Sequence, residues 1–261
     1  MKMLYITGDI HGDAVSRFSY KKNPFLREMG ENDYAIILGD FGLPFGVEHP
    51  NHVSIMDEVK YHLSFLSSKK ATILALAGNH DDRDFISTLP QIPYKGGKVR
   101  KMVYDDTEYP TIFYIDESTI LTLDNKQCLF IPGAESHDIS DGILDPDTPD
   151  FYEKMRYLNN TERYFYRIKH WEWWEDEDID IAKTQELLAD KPHVDLIFSH
   201  DTPFPHLFPY DFRPTIGEQY LRTIRVFDYP QKDIHWYHGH MHKDIQLTSN
   251  TYCLYHTFAF E

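Results

Sequence analysis

Cysteine is nearly absent: Cys128 and Cys253 are the only two in 261 residues, far apart and in no metal-binding spacing. A disulfide framework is therefore not expected, and this usage fits a reducing cytoplasm. Positive charge is scarce too, with 26 Lys and Arg against 42 Asp and Glu and a formal net charge of −16. Nucleic-acid binders display a basic footprint, so that class is disfavoured. A small phosphorylated substrate is not excluded, because a metal site brings its own positive charge. No apolar run approaches the ~20 residues of a membrane helix. Met1 to Thr7 run straight into the first motif, with no leader before it. These absences predict a cytoplasmic protein with no membrane partner; they say nothing about oligomeric state.

What is present is core-forming material: 41% hydrophobic and 15% aromatic residues. Leu4–Thr7, Tyr34–Leu38 and Thr72–Leu76 are nearly continuous apolar runs, as expected of strands covered on both faces. Between the last two, Ile55, Val59, Leu63 and Leu66 recur at helical spacing, and Ser54 with Asp57 has the form of a capping box. Thr119–Leu123 and Gln127–Ile131 flank Asp124-Asn125-Lys126 and predict a hairpin. A charged, aromatic segment from about 137 to 190 follows, with helices expected at Phe151–Ile168 and Ile179–Ala189. Strands are expected again at Val194–Phe198, Ile234–His238 and Tyr252–Phe260. With no repeat or linker, the chain reads as one α/β domain, 1–261, carrying an insertion at about 137–190.

Five polar clusters follow predicted strands: Gly8-Asp9-Ile10-His11-Gly12, Gly39-Asp40, Gly78-Asn79-His80-Asp81, Ser199-His200-Asp201 and Gly239-His240-Met241-His242. Ligand sites of α/β sheets lie at the carboxyl ends of strands. Residues i and i+2 of an extended chain point to one side, so Asp9 with His11, and His240 with His242, are expected to reach a common point. The donors Asp9, His11, Asp40, Asn79, His200, His240 and His242 offer oxygen and imidazole nitrogen, which suit divalent first-row metals. Seven donors exceed one tetrahedral ion and favour two ions sharing a carboxylate, with Asp40 the natural bridge. Two divalent ions against two carboxylates leave positive charge for a phosphate and a hydroxide, whose formation at neutral pH such metals permit.

Taken together, the order GDIHG, GD, GNHD, SH, GHMH resembles the calcineurin-like metallophosphoesterase superfamily. Similarity to a bacterial and phage-borne branch extends to Gly39-Asp40-Phe41-Gly42, the run at 133–138, Asp141-Gly142-Ile143-Leu144 and Trp173-Trp174. The resemblance implies a four-layer sandwich of two mixed β-sheets flanked by helices, with a dinuclear metal site at the carboxyl ends of the strands. It implies that Asp9, His11, Asp40 and His242 hold one ion, and Asp40, Asn79, His200 and His240 the other. Manganese is the first expectation; iron, zinc, cobalt and nickel are alternatives. His80 would be the catalytic histidine, protonating the leaving oxygen or stabilising phosphoryl charge, and Asp81 would orient its imidazole through a hydrogen bond. The implied function is a phosphoric ester hydrolase attacking a small phosphate ester with metal-bound hydroxide. The chain departs from the protein serine/threonine phosphatases, lacking Tyr-Val-Asp-Arg-Gly after Asp40 and having Ala77 in place of Arg before Gly78.

Other residues invite blander readings. Arg83 is a candidate for phosphate contact but also for a surface ion pair. Trp173 and Trp174 are candidates for base stacking but more commonly pack a core. The acidic run Asp138, Asp141, Asp145, Asp147 and Asp150 lacks a calcium-loop pattern. His238 reads as a buried non-ligand, and His137 approaches the metals only if the insertion folds over them. Two rival functions stand beside the leading one. A nuclease would need a basic stripe at the cleft. A non-catalytic module on the same fold would be expected to lack ligands or His80, and here every position is filled.

Overall fold

The computed structural model of the chain describes residues 2–207 and 214–261. In chain order the first strands are β1 (Leu4–Thr7), β2 (Tyr34–Ile37), β3 (Thr72–Leu76), β4 (Gln91–Tyr94), β5 (Gly97–Tyr104), β6 (Thr107–Ile115), β7 (Thr119–Leu123) and β8 (Lys126–Ile131). They are followed by β9 (Gly142–Leu144), β10 (Tyr166–Ile168), β11 (Leu196–Ser199), β12 (His235–His238), β13 (Ile245–Thr248), β14 (Thr251–Cys253) and β15 (Phe258–Phe260). The helices are α1 (Ala14–Arg17), α2 (Met56–Ser67), α3 (Arg83–Thr88), α4 (Phe151–Asn160), α5 (Ile181–Leu188) and α6 (Ile216–Thr223).

Two large mixed sheets result, ordered β15-β1-β2-β3-β6-β5-β4 and β13-β14-β12-β11-β8-β7. Their facing sides bury one apolar layer: Leu4, Ile6, Ile36, Leu74 and Leu76 of the first sheet meet Leu121, Cys128, Phe130 and Phe198 of the second. The intervening residues of the same strands point outward. Tyr5, Ile37, Ile73 and Ala75 pack under Val59, Leu63 and Leu66 of α2. Leu129, Ile131, Ile197 and Trp236 pack under Leu188 of α5 and Leu221 of α6. The expected four-layer sandwich is thus formed, because strands buried on both faces need a helix layer outside and a sheet inside.

Several local expectations fail. The helix expected to begin at Ser54 begins at Met56 after a tighter turn over His52–Ile55. Ser54 donates its hydroxyl to the Asn51 carbonyl at 2.6 Å, so no capping box with Asp57 forms. The helix expected over Phe151–Ile168 stops at Asn160, and Tyr166–Ile168 becomes β10, parallel to β9. This β9-α4-β10 unit has its own small core of Leu144, Phe151, Leu158 and Ile168. Tyr252–Phe260 is two strands, not one: β14 pairs in the second sheet and β15 in the first. Among the described residues no helix is long and apolar enough to cross a membrane.

Candidate metal centre

All five polar clusters lie at carboxyl ends of parallel strands, three from the first sheet (β1, β2, β3) and two from the second (β11, β12). Because the sheets face each other, these ends converge. One donor atom each from Asp9, His11, Asp40 and His242 lies within 4.8 Å of the others, and the same holds for Asp40, His200 and His240. Asp40 belongs to both groups. Asn79 joins the second, its Oδ1 lying 3.1 Å from His200 Nε2. Its amide nitrogen donates to Ser136 Oγ at 3.2 Å, which turns the oxygen toward the group.

Extended-chain alternation is not what brings these donors together. His11, Asp40, His240 and His242 have φ of 45°, 47°, 62° and 48°, in the left-handed region that is uncommon for residues other than glycine. After β1, β2 and β12 the chain thus turns sharply at these donors. His240 and His242 consequently serve different groups. Such concentration of unfavourable backbone at a few neighbouring positions is a mark of functional sites.

Glycines make the crowding possible. A Cβ on Gly78 would stand 2.2 Å from Asp40 Oδ1, and one on Gly239 2.1 Å from Asp9 Oδ1. Only a residue without a side chain fits at either point.

The electrostatics are those of acceptors facing acceptors. His200 is fully buried, and its Nδ1 meets the Leu38 carbonyl at 2.8 Å. With a proton on Nδ1, Nε2 lies 3.3 Å from Asp40 Oδ1, where it carries a second proton or ligates a cation. Asp40 is 1% exposed and its Oδ2 has no hydrogen-bond partner among the described residues; His240 Nε2 is likewise buried and unpartnered. Burial opposes charge on His200, but Asp40 and Asp9 push its pKa up to about 10. Burial would also raise Asp40; the His200, His80 and His11 imidazoles instead hold it well below its ordinary value. Burial, aided by His200 and His137, drives His240 well down, toward the neutral form that ligates. A buried acceptor without a donor costs about 1–3 kcal/mol, so a divalent cation fits these residues by charge and by donor type.

Of the two predicted catalytic residues, His80 lies beside the groups, its ring 5.1 Å from that of His11 and edge-on to it. Burial, opposed by Asp40 and aided by Arg167, lowers its pKa to about 4. The expected hydrogen bond from Asp81 to this imidazole is not made. Asp81 takes the backbone N–H groups of Phe41, Gly42 and Gly78 and the Tyr114 hydroxyl at 2.7–3.2 Å. Adjacent side chains diverge, and Asp81 points down to pin the β2 and β3 turns while His80 points up. Burial raises its pKa, with Asp40 adding to the effect.

The polar neighbour of His80 is Arg167, with contacts of 3.1 and 2.8 Å to the two ring nitrogens. Arg167 lies in a stretch expected to be helical, and its partner Asp138 in the acidic run that lacks a calcium-loop pattern. The break that could have revealed β10 is Thr161-Glu162, where Glu162 takes φ 57°. His137 does approach the site, its ring 5.2 Å from that of His240. His238 is fully buried, with Thr202 Oγ1 3.3 Å from its Nε2. Trp174 is core and donates to Asp84 at 2.9 Å. Of the other acidic residues of that run, Asp145 accepts the Asp147 N–H within a turn, Asp141 accepts the Phe165 N–H from 24 residues away, and Asp150 pairs with Lys154.

Arg83 faces away from the cavity and donates to the Glu177 carbonyl at 2.9 Å. Glu177 itself is buried, accepts the Ser136 N–H at 2.7 Å, and is pushed up to about 7 by that burial. Between about pH 4.5 and 7 the folded state therefore binds more protons at Glu177 than the unfolded state, and stability falls as pH rises. Glu177→Gln keeps the acceptor and removes the charge. It is expected to flatten this fall and raise the thermal midpoint at about pH 8 by roughly 5 °C. Parallel melting curves at several pH values check it; identical slopes for parent and variant would refute it.

Paired sheets bearing an Asp/His cluster at their converging strand ends define an α/β protein built for cation binding. Residues 3–244 match the family model described as calcineurin-like phosphoesterase, and the chain belongs to that family. No curated protein matches it. Among solved structures it is similar to a Staphylococcus aureus protein provisionally named a 5'-nucleotidase, solved with alpha-ketoglutarate. That similarity has a TM-score of 0.45 and 13% identity, over 97% of this chain and 48% of that one. The chain thus spans about half the length of that protein. It is also similar to an Aquifex aeolicus protein of unknown function, with a TM-score of 0.29 and 15% identity over 77% and 81% of the two chains.

Proposed function

We propose that the protein is a dinuclear-metal phosphoesterase acting on a small phosphate ester, with its insertion part of a single domain. The observation that supports this most is Asp40, a buried carboxylate common to both donor groups and with an oxygen that no donor among the described residues reaches. Asp9, His11, Asp40 and His242 would hold one ion, and Asp40, Asn79, His200 and His240 the other. Bound there, divalent ions supply Lewis-acid polarisation of phosphoryl oxygens and lower the pKa of water to about 7. The chain's own residues do the rest. Leu38 and Ser136 fix the His200 ring and the Asn79 amide, so the donors are oriented before a substrate arrives. His80, on the cavity wall, is placed to donate to or protonate the leaving oxygen. Asp81 is a positioning residue that holds the Asp40 and Asn79 turns together.

The cavity over the groups has a volume of about 300 Å³, lined by Asp40, Asn79, His80, Asp138, Arg167 and His240 among others. It suits a small molecule. Among the described residues, Arg167 is the one Lys or Arg that lines it, whereas a nucleic-acid path calls for a basic stripe. Manganese is the first choice of metal for this oxygen and nitrogen donor set. Stripping the protein with chelator is expected to abolish hydrolysis of a generic phosphomonoester, and added manganese to restore it in step with bound metal. Full turnover in excess chelator would defeat the proposal.

A further inference from the structure

Arg167 sits where chemistry would put a grip for phosphate, on the cavity wall beside the donor groups. It lies on β10, inside the inserted unit, and is 7% exposed. Asp138 holds it through Nε at 3.0 Å and Nη2 at 2.7 and 2.8 Å, and Nη1 also reaches the Glu172 carbonyl at 3.3 Å. The guanidinium is thereby fixed from behind. Its other side presents Nη1 and Nη2 to the two ring nitrogens of His80, at 3.1 and 2.8 Å. An imidazole has at most one bare nitrogen, so it cannot accept from both of these donors. A cationic fork with more donors than its neighbour can satisfy, facing a cavity, matches paired phosphate oxygens.

Two residues earlier, Phe165 lines the same cavity and is 59% exposed. An aromatic left this open on the wall of the cavity offers a stacking face. Resting on the phosphoesterase reading above, we propose that the inserted unit is the substrate-recognition element. Arg167, positioned by Asp138, grips the non-bridging oxygens of the phosphoryl group, and Phe165 stacks on a planar ring in the remainder of the ester. The substrate class is a phosphomonoester whose alcohol carries a planar ring, either a phenol or a nucleoside.

The test uses the manganese-loaded 261-residue chain with phenyl phosphate, adenosine 5'-monophosphate and glycerol phosphate, and calorimetric binding of inorganic phosphate. Arg167→Ala is expected to lower kcat/KM on all three esters and weaken phosphate binding by roughly 10- to 100-fold, with metal content unchanged. Arg167→Lys recovers part of both, and carries the test alone if the alanine variant does not fold. Phe165→Ala is expected to lose about 5- to 50-fold on whichever ring-bearing ester the parent prefers, chiefly in KM, and to leave glycerol phosphate within about twofold. Which of the two ring esters the parent prefers separates phenol from nucleoside. Unchanged phosphate affinity in both Arg167 variants, or an equal effect of Phe165→Ala on all three esters, overturns the inference. A parent that binds phosphate through Arg167 yet hydrolyses none of the esters overturns the phosphoesterase reading and leaves the phosphate grip standing.

Discussion

Asp40→Asn is expected to reduce turnover by roughly a thousandfold or more and to lower metal content at both donor groups at once. Asn preserves the shape of the side chain, and its oxygen can still accept the His80 N–H that Asp40 Oδ1 accepts at 2.8 Å. That places an NH2 group where Oδ2 now stands, turning two hydrogens toward buried donors that need positive charge among them. A substitution at Asp9 or His200 touches one group; this one touches both. Metal analysis of dialysed parent and variant, alongside hydrolysis of a generic phosphomonoester, reads both effects. A variant with two tightly held ions per chain would remove Asp40 as the shared ligand.

Gly78→Ala should be nearly as damaging although it removes no functional group. The added methyl would meet Asp40 Oδ1 at 2.2 Å, the Asp40 amide nitrogen at 2.6 Å and His200 Nε2 at 2.6 Å. Backbone and a fully buried ring cannot yield as a flexible side-chain tip can. The β2 and β3 turns must separate, at an overpacking cost of about 1–3 kcal/mol. A displacement near 1 Å at the donors is worth roughly a hundredfold in rate. Gly30→Ala is the control, since its nearest neighbour would be Asp33 Oδ2 at 3.9 Å. Circular dichroism, metal content and activity should show a folded variant that binds metal poorly. Parental metal affinity and rate in Gly78→Ala would show that the turns tolerate what their geometry forbids.

How far the sequence speaks for the structure depends on the range of the interaction responsible. The apolar runs of β1, β2 and β3 are legible because burial on both faces leaves few polar residues. The β7–β8 hairpin is legible because Asp124 and Asn125 are suited to the left-handed backbone they adopt, φ 45° and 65°. The seven candidate donors are legible because each adjoins a strand end. The end of α4 is less so, since it stops at Thr161 and the left-handed Glu162 without the glycine that usually marks such a stop. The division of Tyr252–Phe260 depends on Asp244, whose carboxylate takes the N–H groups of Tyr255, His256 and Thr257 from more than ten residues away. No local pattern carries that tether. Arg167 and Asp138 escaped for the same reason: 29 residues separate them, and only the folded inserted unit brings the pair to His80.

The donors come from two sheets joined through the apolar layer between them, not from one rigid loop. Leu74, Leu76, Phe130 and Phe198 therefore act as a spacer gauge as well as ballast for stability. Their bulk sets how far the Asp9–Asp40 side stands from the His200–His240 side, so the size of ion these candidate donors would accept is tunable from the interior by residues outside the donor groups.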